Sequence, residues 1–116
     1  MGVANSRGTA AEAMAAAYVE LMGWEVIGRN LRVSGVEVDL VACDGTAHIV
    51  IEVKCRTRSD YGGAALTIDR VKRGRLLRAA QALARGDSVP VRIDVVAIDL
   101  EEQGARVRHY RNAISE

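Results

Sequence analysis

Two charged residues, Glu52 and Lys54, interrupt the most apolar strand predicted for this chain. That strand comprises residues 48–55 (HIVIEVKC). Because side chains alternate between the two faces of a strand, Glu52 and Lys54 share a face and lie roughly 6.6 Å apart along it. Burying two charges is costly unless they pair or bind a ligand. Their position at the end of a central strand therefore predicts a functional cluster.

A second carboxylate, that of Asp39, is predicted to face Glu52 from the preceding strand. Residues 36–43 (VEVDLVAC) alternate and then become apolar, and Asp44-Gly45 is a hairpin signal. A four-residue loop ending at Ala47 places Asp39 directly opposite Glu52, with Cβ atoms about 4.5–5.5 Å apart. A two-residue loop shifts the pairs but keeps the face, whereas a three-residue loop does not.

Two carboxylates at this separation repel each other unless a divalent cation lies between them. Oxygens of Asp39 and Glu52, with a backbone carbonyl and waters, suit Mg²⁺ or Mn²⁺. An ammonium group beside that metal, here Lys54, would orient or help to deprotonate an attacking water and stabilise phosphorane charge. The three residues together predict hydrolysis of a phosphodiester bond.

The elements that must position these residues follow the order α-β-β-β-α-β-β. The patterns predict helices at 9–22 and 68–85, and strands at 24–33, 36–43, 48–55, 91–99 and 105–110. The first helix has a capping-box pair, Thr9 and Glu12, and Thr67 is the expected N-cap of the second. Between the strand at 48–55 and the second helix, residues 57–66 form a predicted loop that contains Gly62-Gly63.

A parallel strand pair is expected from the strand–helix–strand unit at 48–99, which implies a mixed sheet. The length of 116 residues predicts a single domain over residues 1–116, with an ordered core of about 5–110. The fold class predicted from these elements is α/β.

Basic residues are concentrated in the middle of the sequence. Residues 54–92 carry ten basic and three acidic residues, a net charge of +7, whereas the whole chain has a net charge of +1. Lys72, Arg75 and Arg78 follow one face of the second predicted helix by i, i+3 spacing. We interpret that face as a phosphate-binding surface, although a solvated helix face would carry the same charges.

Composition excludes several other classes of protein. With no Phe, one Trp and three Tyr, the chain has too few aromatic residues to stack bases, so it would hold nucleic acid by the backbone. Cys43 and Cys55 form neither a disulfide framework nor a metal-ligand cluster. The sequence has no signal-peptide pattern and no membrane-spanning segment, so we expect a cytoplasmic protein with reduced thiols.

The order of these residues resembles a known family. An aspartate on one strand, followed by Glu-x-Lys on the next, is the core pattern of the PD-(D/E)XK nuclease superfamily. The fuller set is similar to the YraN-like family of bacterial proteins (uncharacterised protein family 0102) over about residues 5–110. The matching segments are Arg29-Asn30-Leu31-Arg32, Gly35-Val36-Glu37-Val38-Asp39-Leu40-Val41, Ile51-Glu52-Val53-Lys54-Cys55-Arg56, Gly62-Gly63, Lys72 and Arg92-Ile93-Asp94-Val95.

That resemblance implies a restriction-endonuclease-like three-layer fold, similar to archaeal Holliday-junction resolvases. It implies that Asp39 and Glu52 bind Mg²⁺ or Mn²⁺, that Lys54 is the catalytic lysine, and that Glu12 points into the same site. The predicted nucleic-acid contacts are Arg56, Lys72, Arg75 and Arg78. The implied activity is metal-dependent hydrolysis of DNA, on branched or structured substrates, which leaves a 5′-phosphate and a 3′-hydroxyl.

The chain departs from the family pattern at three positions. Val36 stands between Gly35 and Glu37, where the family has Gly directly before Glu. Ala11 replaces the Gly before the helical Glu, and Ile93 replaces the Phe of an Arg-Phe-Asp motif. These differences affect local geometry and leave the carboxylates in place.

Two other functions stay open from the sequence. One is a catalytically inactive nucleic-acid-binding module that retains the charged cluster, and the other is a small structural adaptor. Glu12 could serve only as the third residue of its capping box, and Asp94 could be either a neighbour of the site or a partner of Arg92. Metal binding that depends on Asp39 and Glu52 would separate the nuclease from both alternatives. The oligomeric state is open, and a homodimer is compatible with the sequence.

Overall fold

Two helices and five strands form the described part of the chain, which in this computed structural model comprises residues 6–57, 68–86 and 88–115. The elements are α1 (Ser6–Leu21), β1 (Glu25–Val33), β2 (Val36–Cys43), β3 (His48–Arg56), α2 (Arg70–Gly86), β4 (Val91–Glu101) and β5 (Gly104–Ile114). The predicted α/β class and the order α-β-β-β-α-β-β are confirmed. The Gly62-Gly63 loop lies outside the described residues.

The five strands form one mixed sheet in the order β1-β2-β3-β4-β5. Neighbouring strands are antiparallel except β3 and β4, which are parallel, as the strand–helix–strand pattern predicted. Cys43 pairs with His48, so the β2–β3 loop has the four residues that the predicted register required. The Asp44 carboxylate stabilises this loop because it accepts the N–H groups of Thr46 and Ala47, at 2.9 and 2.8 Å.

Helices cover both faces of the sheet and give the fold three layers. Beneath α1, Ala15 and Val19 pack with Leu40, Ile51 and other buried residues of the sheet. Beneath α2, buried Leu76 packs with residues of the opposite face. Because the chain has no Phe, aliphatic side chains fill both clusters. Among the described residues, no helix has both the length and the apolar content that crossing a membrane requires.

The first helix begins earlier than the sequence predicted, and the capping-box interpretation is wrong. α1 starts at Ser6, so Thr9 already lies within the helix. An N-cap residue has a non-helical backbone, and Thr9 therefore cannot cap α1. Glu12 is accordingly not the third residue of a capping box.

The second helix begins later than predicted, at Arg70. Asp69 is its N-cap, because the Asp69 carboxylate accepts the N–H of Lys72 at 2.8 Å. The expected N-cap, Thr67, lies outside the described residues. This cap fixes the first turn of α2 and with it the backbone position of Lys72.

Candidate active site

Glu52 is a nearly buried carboxylate in the middle of the sheet, with 5% of its surface exposed. It follows Val50 by two residues on β3, so both side chains point to the α2 side. Lys54 Nζ lies 4.0 Å from Glu52 Oε2, and Lys72 Nζ lies 3.5 Å from Glu52 Oε1. The structure therefore brings the predicted Glu52–Lys54 pair together and adds the Lys72 ammonium from α2.

Asp39 lies beside Glu52 at the end of the β2–β3 ladder. The last pair of that ladder is Leu40 with Ile51, and Asp39 is the next residue along β2. Its Oδ2 accepts the backbone N–H of Val53 at 2.8 Å. The two carboxylates predicted to face each other are thus neighbours in the structure.

The electrostatic environment of Glu52 is unfavourable for its negative charge. Burial and the nearby negative charge of Asp39 raise the pKa of Glu52 to about 7, against the opposing effect of Lys72 and Lys54. Within the described part of the chain, Glu52 Oε1 has no well-formed hydrogen bond, and the ammonium of Lys72 lies 3.5 Å from it. A buried carboxylate oxygen without a well-formed hydrogen bond is rare in folded proteins and calls for a physical explanation, of which a bound cation is one.

These two carboxylates fit a divalent cation of the Mg²⁺ type. Oxygen ligands and one or two carboxylates are what Mg²⁺ takes from proteins, with the remaining positions left to water and substrate phosphate. No three His, Cys, Asp or Glu side chains in the described ranges come close enough to hold one ion. Asp39 and Glu52 would therefore be the protein's carboxylate ligands, and Glu12 does not complete a three-residue group with them.

A polar cleft of about 820 Å³ opens next to this centre, between the start of α1, the β1–β2 hairpin and α2. Its acidic lining residues are Glu12, Glu37 and Asp39. Its basic lining residues are Arg32, Lys72, Arg75 and Arg78. Cations on two walls with carboxylates between them suit a phosphodiester backbone beside a metal-binding centre.

Most of the predicted site residues either contact one another or line the same cleft. Glu12, Arg75 and Arg78 line the same cleft as Asp39. Glu52 does not itself line the cleft, but its neighbours Asp39 and Lys72 do.

Arg56 is placed differently from the other predicted phosphate contacts. Its Nε donates to Asp99 Oδ1 at 3.1 Å, and Arg108 Nε lies 2.9 Å from the other oxygen of the same carboxylate. Arg56 does not line the cleft, and only 17% of its side chain is exposed. This placement gives no support to the predicted phosphate contact of Arg56.

The predicted site residues did not include Asn30 and Arg32, which line the cleft from β1. The available signal was their place in the Arg29-Asn30-Leu31-Arg32 segment, together with the irregular alternation of that strand. A strand that alternates poorly gives no indication of which side chains face a neighbouring cleft.

The remaining charged motif of the sequence, Arg92-Ile93-Asp94, lies elsewhere. Asp94 is fully buried and accepts hydrogen bonds from Arg92, at 2.9 and 3.2 Å, and from the N–H of Asn112 at 2.9 Å. His109 Nε2 lies 2.8 Å from the same carboxylate, and Tyr18 contacts the other ring nitrogen at 3.0 Å. Asp94 is therefore the partner of Arg92, in a satisfied structural network.

The fold and site define a three-layer α/β domain with a carboxylate–lysine centre beside a cationic cleft. Comparison with known proteins identifies its family: residues 11–98 match the model of the uncharacterised protein family UPF0102, and the chain belongs to it. A UPF0102 protein of Halorhodospira halophila is 41% identical over 110 residues, which cover 95% of this chain and 88% of the relative.

Other members of the family show a similar extent of likeness. A UPF0102 protein of Dechloromonas aromatica is 42% identical over 84% of this chain and 82% of its own length. One of Vibrio cholerae is 35% identical over 97% of this chain and 96% of its own length. The likeness thus extends over most of the chain and includes the strands that carry Asp39 and Glu52.

Proposed function

We propose that this protein is a metal-dependent nuclease that hydrolyses phosphodiester bonds of DNA, with branched or structured DNA as its substrate. The observation that carries the proposal is the nearly buried Glu52 carboxylate, which has Asp39 beside it and, among the described residues, no well-formed hydrogen bond to its Oε1. Repulsion between the Asp39 and Glu52 carboxylates costs the fold stability. Residues with strongly perturbed pKa values cluster at functional sites.

The carboxylates and the lysines have different roles in the proposed reaction. Asp39 and Glu52 would hold Mg²⁺ or Mn²⁺, which supplies Lewis-acid activation of water and phosphate when it is bound. Lys54 and Lys72 lie within 4.0 Å of Glu52 and would stabilise the negative charge that develops on the attacked phosphate.

The cleft walls would bind the nucleic-acid backbone on either side of the attacked phosphate. Among the described residues, Arg75 and Arg78 have no ion-pair partner, so their guanidinium groups are available for phosphate oxygens. Arg32 would contact the backbone from the opposite wall. Contacts of this kind fix position and orientation without reading the base sequence.

A catalytically inactive nucleic-acid-binding module is the second candidate. The observation that favours it is the position of Glu52 between two lysines, which compensates its charge without a metal. In that case the cleft would bind DNA, and the carboxylates would only hold the two ammonium groups in place.

A cleavage panel separates the two candidates. Single-stranded, duplex, flap and four-way-junction DNA are incubated with the parent protein in Mg²⁺ and in Mn²⁺, and Glu52→Gln and Asp39→Asn are measured in parallel. Glu20→Gln is the matched control, because Glu20 is exposed on α1 and does not line the cleft. We expect cleavage by the parent and the control only. DNA binding without cleavage of any substrate would overturn the nuclease in favour of the binding module.

A further inference from the structure

Asn30 has an unusual backbone conformation within β1. Its φ is 51°, in the left-handed region that residues other than Gly rarely adopt. Asn is among the residues that tolerate this region best. The Asn30 side chain is exposed, so burial of that side chain does not force the conformation. A strained residue inside a strand and beside a candidate site calls for a functional explanation.

Asn30 lies opposite Asp39 in the β1–β2 ladder. Arg29 pairs with Leu40 and Leu31 pairs with Val38, which leaves Asn30 and Asp39 across from each other, and no register shift occurs between these pairs. Both residues line the same cleft. The strained residue is therefore the cross-strand neighbour of a proposed metal ligand.

The neighbouring strand β2 changes its orientation at this position. Residues two apart in a regular strand point to the same face. Val38, however, packs in the cluster beneath α2, whereas Leu40 packs in the cluster beneath α1. The β2–β3 ladder also ends at Leu40, and the Asp39 carboxylate accepts the Val53 N–H where the ladder would have continued. The hairpin thus bends at the Asn30–Asp39 pair.

We propose that Asn30 is a positioning residue that acts through Asp39. The left-handed backbone of Asn30 bends the hairpin, and the bend directs the Asp39 carboxylate to the Val53 N–H and to the side of Glu52. The role in metal binding rests on the proposed function, whereas the role in placing Asp39 does not.

Substitutions at Asn30 separate the effect of its backbone from that of its amide. Gly adopts a positive φ without strain, whereas a β-branched Val resists it. We expect Asn30→Gly to retain the Asp39–Val53 hydrogen bond and Asn30→Val to lose it. Asn30→Ala is a milder variant for use if Asn30→Val does not fold. The matched control is Ser34→Val, because Ser34 has the same φ of 51° in the turn of the same hairpin and does not line the cleft.

Two measurements test the proposal in the full chain. The amide signal of Val53 is followed by NMR, for its chemical shift and its hydrogen exchange, without any metal. We expect that signal to shift and lose protection in Asn30→Val and to stay unchanged in Asn30→Gly and Ser34→Val. Mn²⁺ titration should give a dissociation constant about 10- to 100-fold higher in Asn30→Val, the usual cost of losing a residue that orients a ligand.

The outcomes distinguish this inference from the proposed function. An unchanged Val53 amide in a folded Asn30→Val or Asn30→Ala protein would overturn the positioning role. Loss of that signal in Asn30→Gly as well would also overturn it, because the side-chain amide would then be the acting group. A parent protein that binds no Mn²⁺ contradicts the metal site alone, since the Val53 amide still decides whether Asn30 positions Asp39.

Discussion

Glu52 and Asp94 are buried carboxylates on adjacent strands of one sheet, and their surroundings differ in almost every respect. Asp94 is fully buried and has contacts to Arg92, His109 and the Asn112 N–H at 2.8–3.2 Å. Its oxygens therefore exchange hydrogen bonds to water for equivalent bonds within the protein. Burial of a charge in this way is tolerated because the charge is both paired and hydrogen-bonded.

Glu52 is almost as deeply buried but lacks comparable partners. Its two lysines lie at 3.5 and 4.0 Å, its Oε1 accepts no hydrogen bond among the described residues, and Asp39 repels it. The comparison shows that burial alone does not mark a functional carboxylate. The two carboxylates differ in how well their partners compensate them, and the weaker compensation of Glu52 is what the proposed metal site would explain.

The largest expected difference is in stability. Asp94→Asn removes the charge that compensates Arg92 in a buried network, so it should lower the free energy of unfolding by about 3–5 kcal/mol. Glu52→Gln, measured in the same way at pH 8, should leave it unchanged or higher, because a repelled charge disappears. Chemical denaturation measures both.

An exposed carboxylate on β4, the strand that carries Asp94, is the control for that experiment. Among the described residues, the ion pair of Glu101 is an exposed one with Arg106 at 3.7 Å, so Glu101→Gln should change the free energy of unfolding by at most about 0.5 kcal/mol. A Glu52→Gln protein that unfolds as readily as Asp94→Asn would contradict the comparison. Glu52 would then be a structural partner of its lysines.

The second expected difference is in how the stability depends on pH. The pKa of Glu52 is raised from 4.5 to about 7 by burial and by Asp39, so the folded state binds its proton more tightly than the unfolded state does. The resulting stabilisation is fully present below pH 4.5 and is lost as the pH rises through 7. At about 1.4 kcal/mol per pKa unit, the contribution of Glu52 to the free energy of unfolding of the metal-free protein should fall by about 3 kcal/mol over this range.

Glu52→Gln isolates this contribution, since an amide does not titrate. The difference in free energy of unfolding between parent and variant should therefore change by the same amount between pH 4.5 and 7.5. Asp44→Asn is a useful contrast, because backbone N–H groups of Thr46 and Ala47 lower the pKa of Asp44 to about 2. The stability that Asp44 contributes is lost only as the pH falls below its ordinary value. A parent-minus-variant difference that is flat for Glu52→Gln would show that Glu52 titrates normally.

The two regions also show what a sequence can reveal. Strand alternation and the Asp44-Gly45 signal predicted the β2–β3 hairpin but left its loop length open. The four-residue loop of the structure gives the register that places Asp39 next to Glu52. These are local patterns, with a separation of 13 residues between the two carboxylates. The Arg92–Asp94 pair was among the sequence-based alternatives, but the rest of the Asp94 network could not be predicted, because Tyr18 and His109, which contact each other, are 91 residues apart.

The features of the structure that the sequence did not predict, or predicted wrongly, also have physical causes. Thr9 and Glu12 have capping-box spacing, but the same residues also fit a helix interior, and α1 extends to Ser6. The bend at Asn30 leaves no trace in hydrophobic periodicity, because Asn is compatible with strands, turns and left-handed positions. Arg56 belongs to the charged segment by composition, yet its neighbour Asp99 on β4 becomes visible only in the folded sheet.

Metal should stabilise the protein through the poorly satisfied carboxylate centre and not elsewhere. Ligand binding to the folded state adds about 2.7 kcal/mol at a concentration of 100 times the dissociation constant. We therefore expect Mn²⁺ to raise the thermal unfolding temperature of the parent and of Glu20→Gln, but not of Glu52→Gln or Asp39→Asn. Equal stabilisation of all four proteins would mean that Mn²⁺ binds at another place.

The smallest expected effect extends the comparison from carboxylates to guanidinium groups. Arg56 is held by Asp99, whereas Arg75 lines the cleft and has no ion-pair partner among the described residues. Each phosphate contact contributes roughly 0.9 to the slope of log affinity against log salt. Arg75→Ala should therefore flatten the slope for duplex DNA by about that amount, and the change of slope caused by Arg56→Ala should be much smaller. Arg85→Ala is the matched control, because Arg85 lies in the last turn of α2 and outside the cleft lining. If Arg75→Ala and Arg85→Ala leave the same slope, the cationic face of α2 is an ordinary solvated surface.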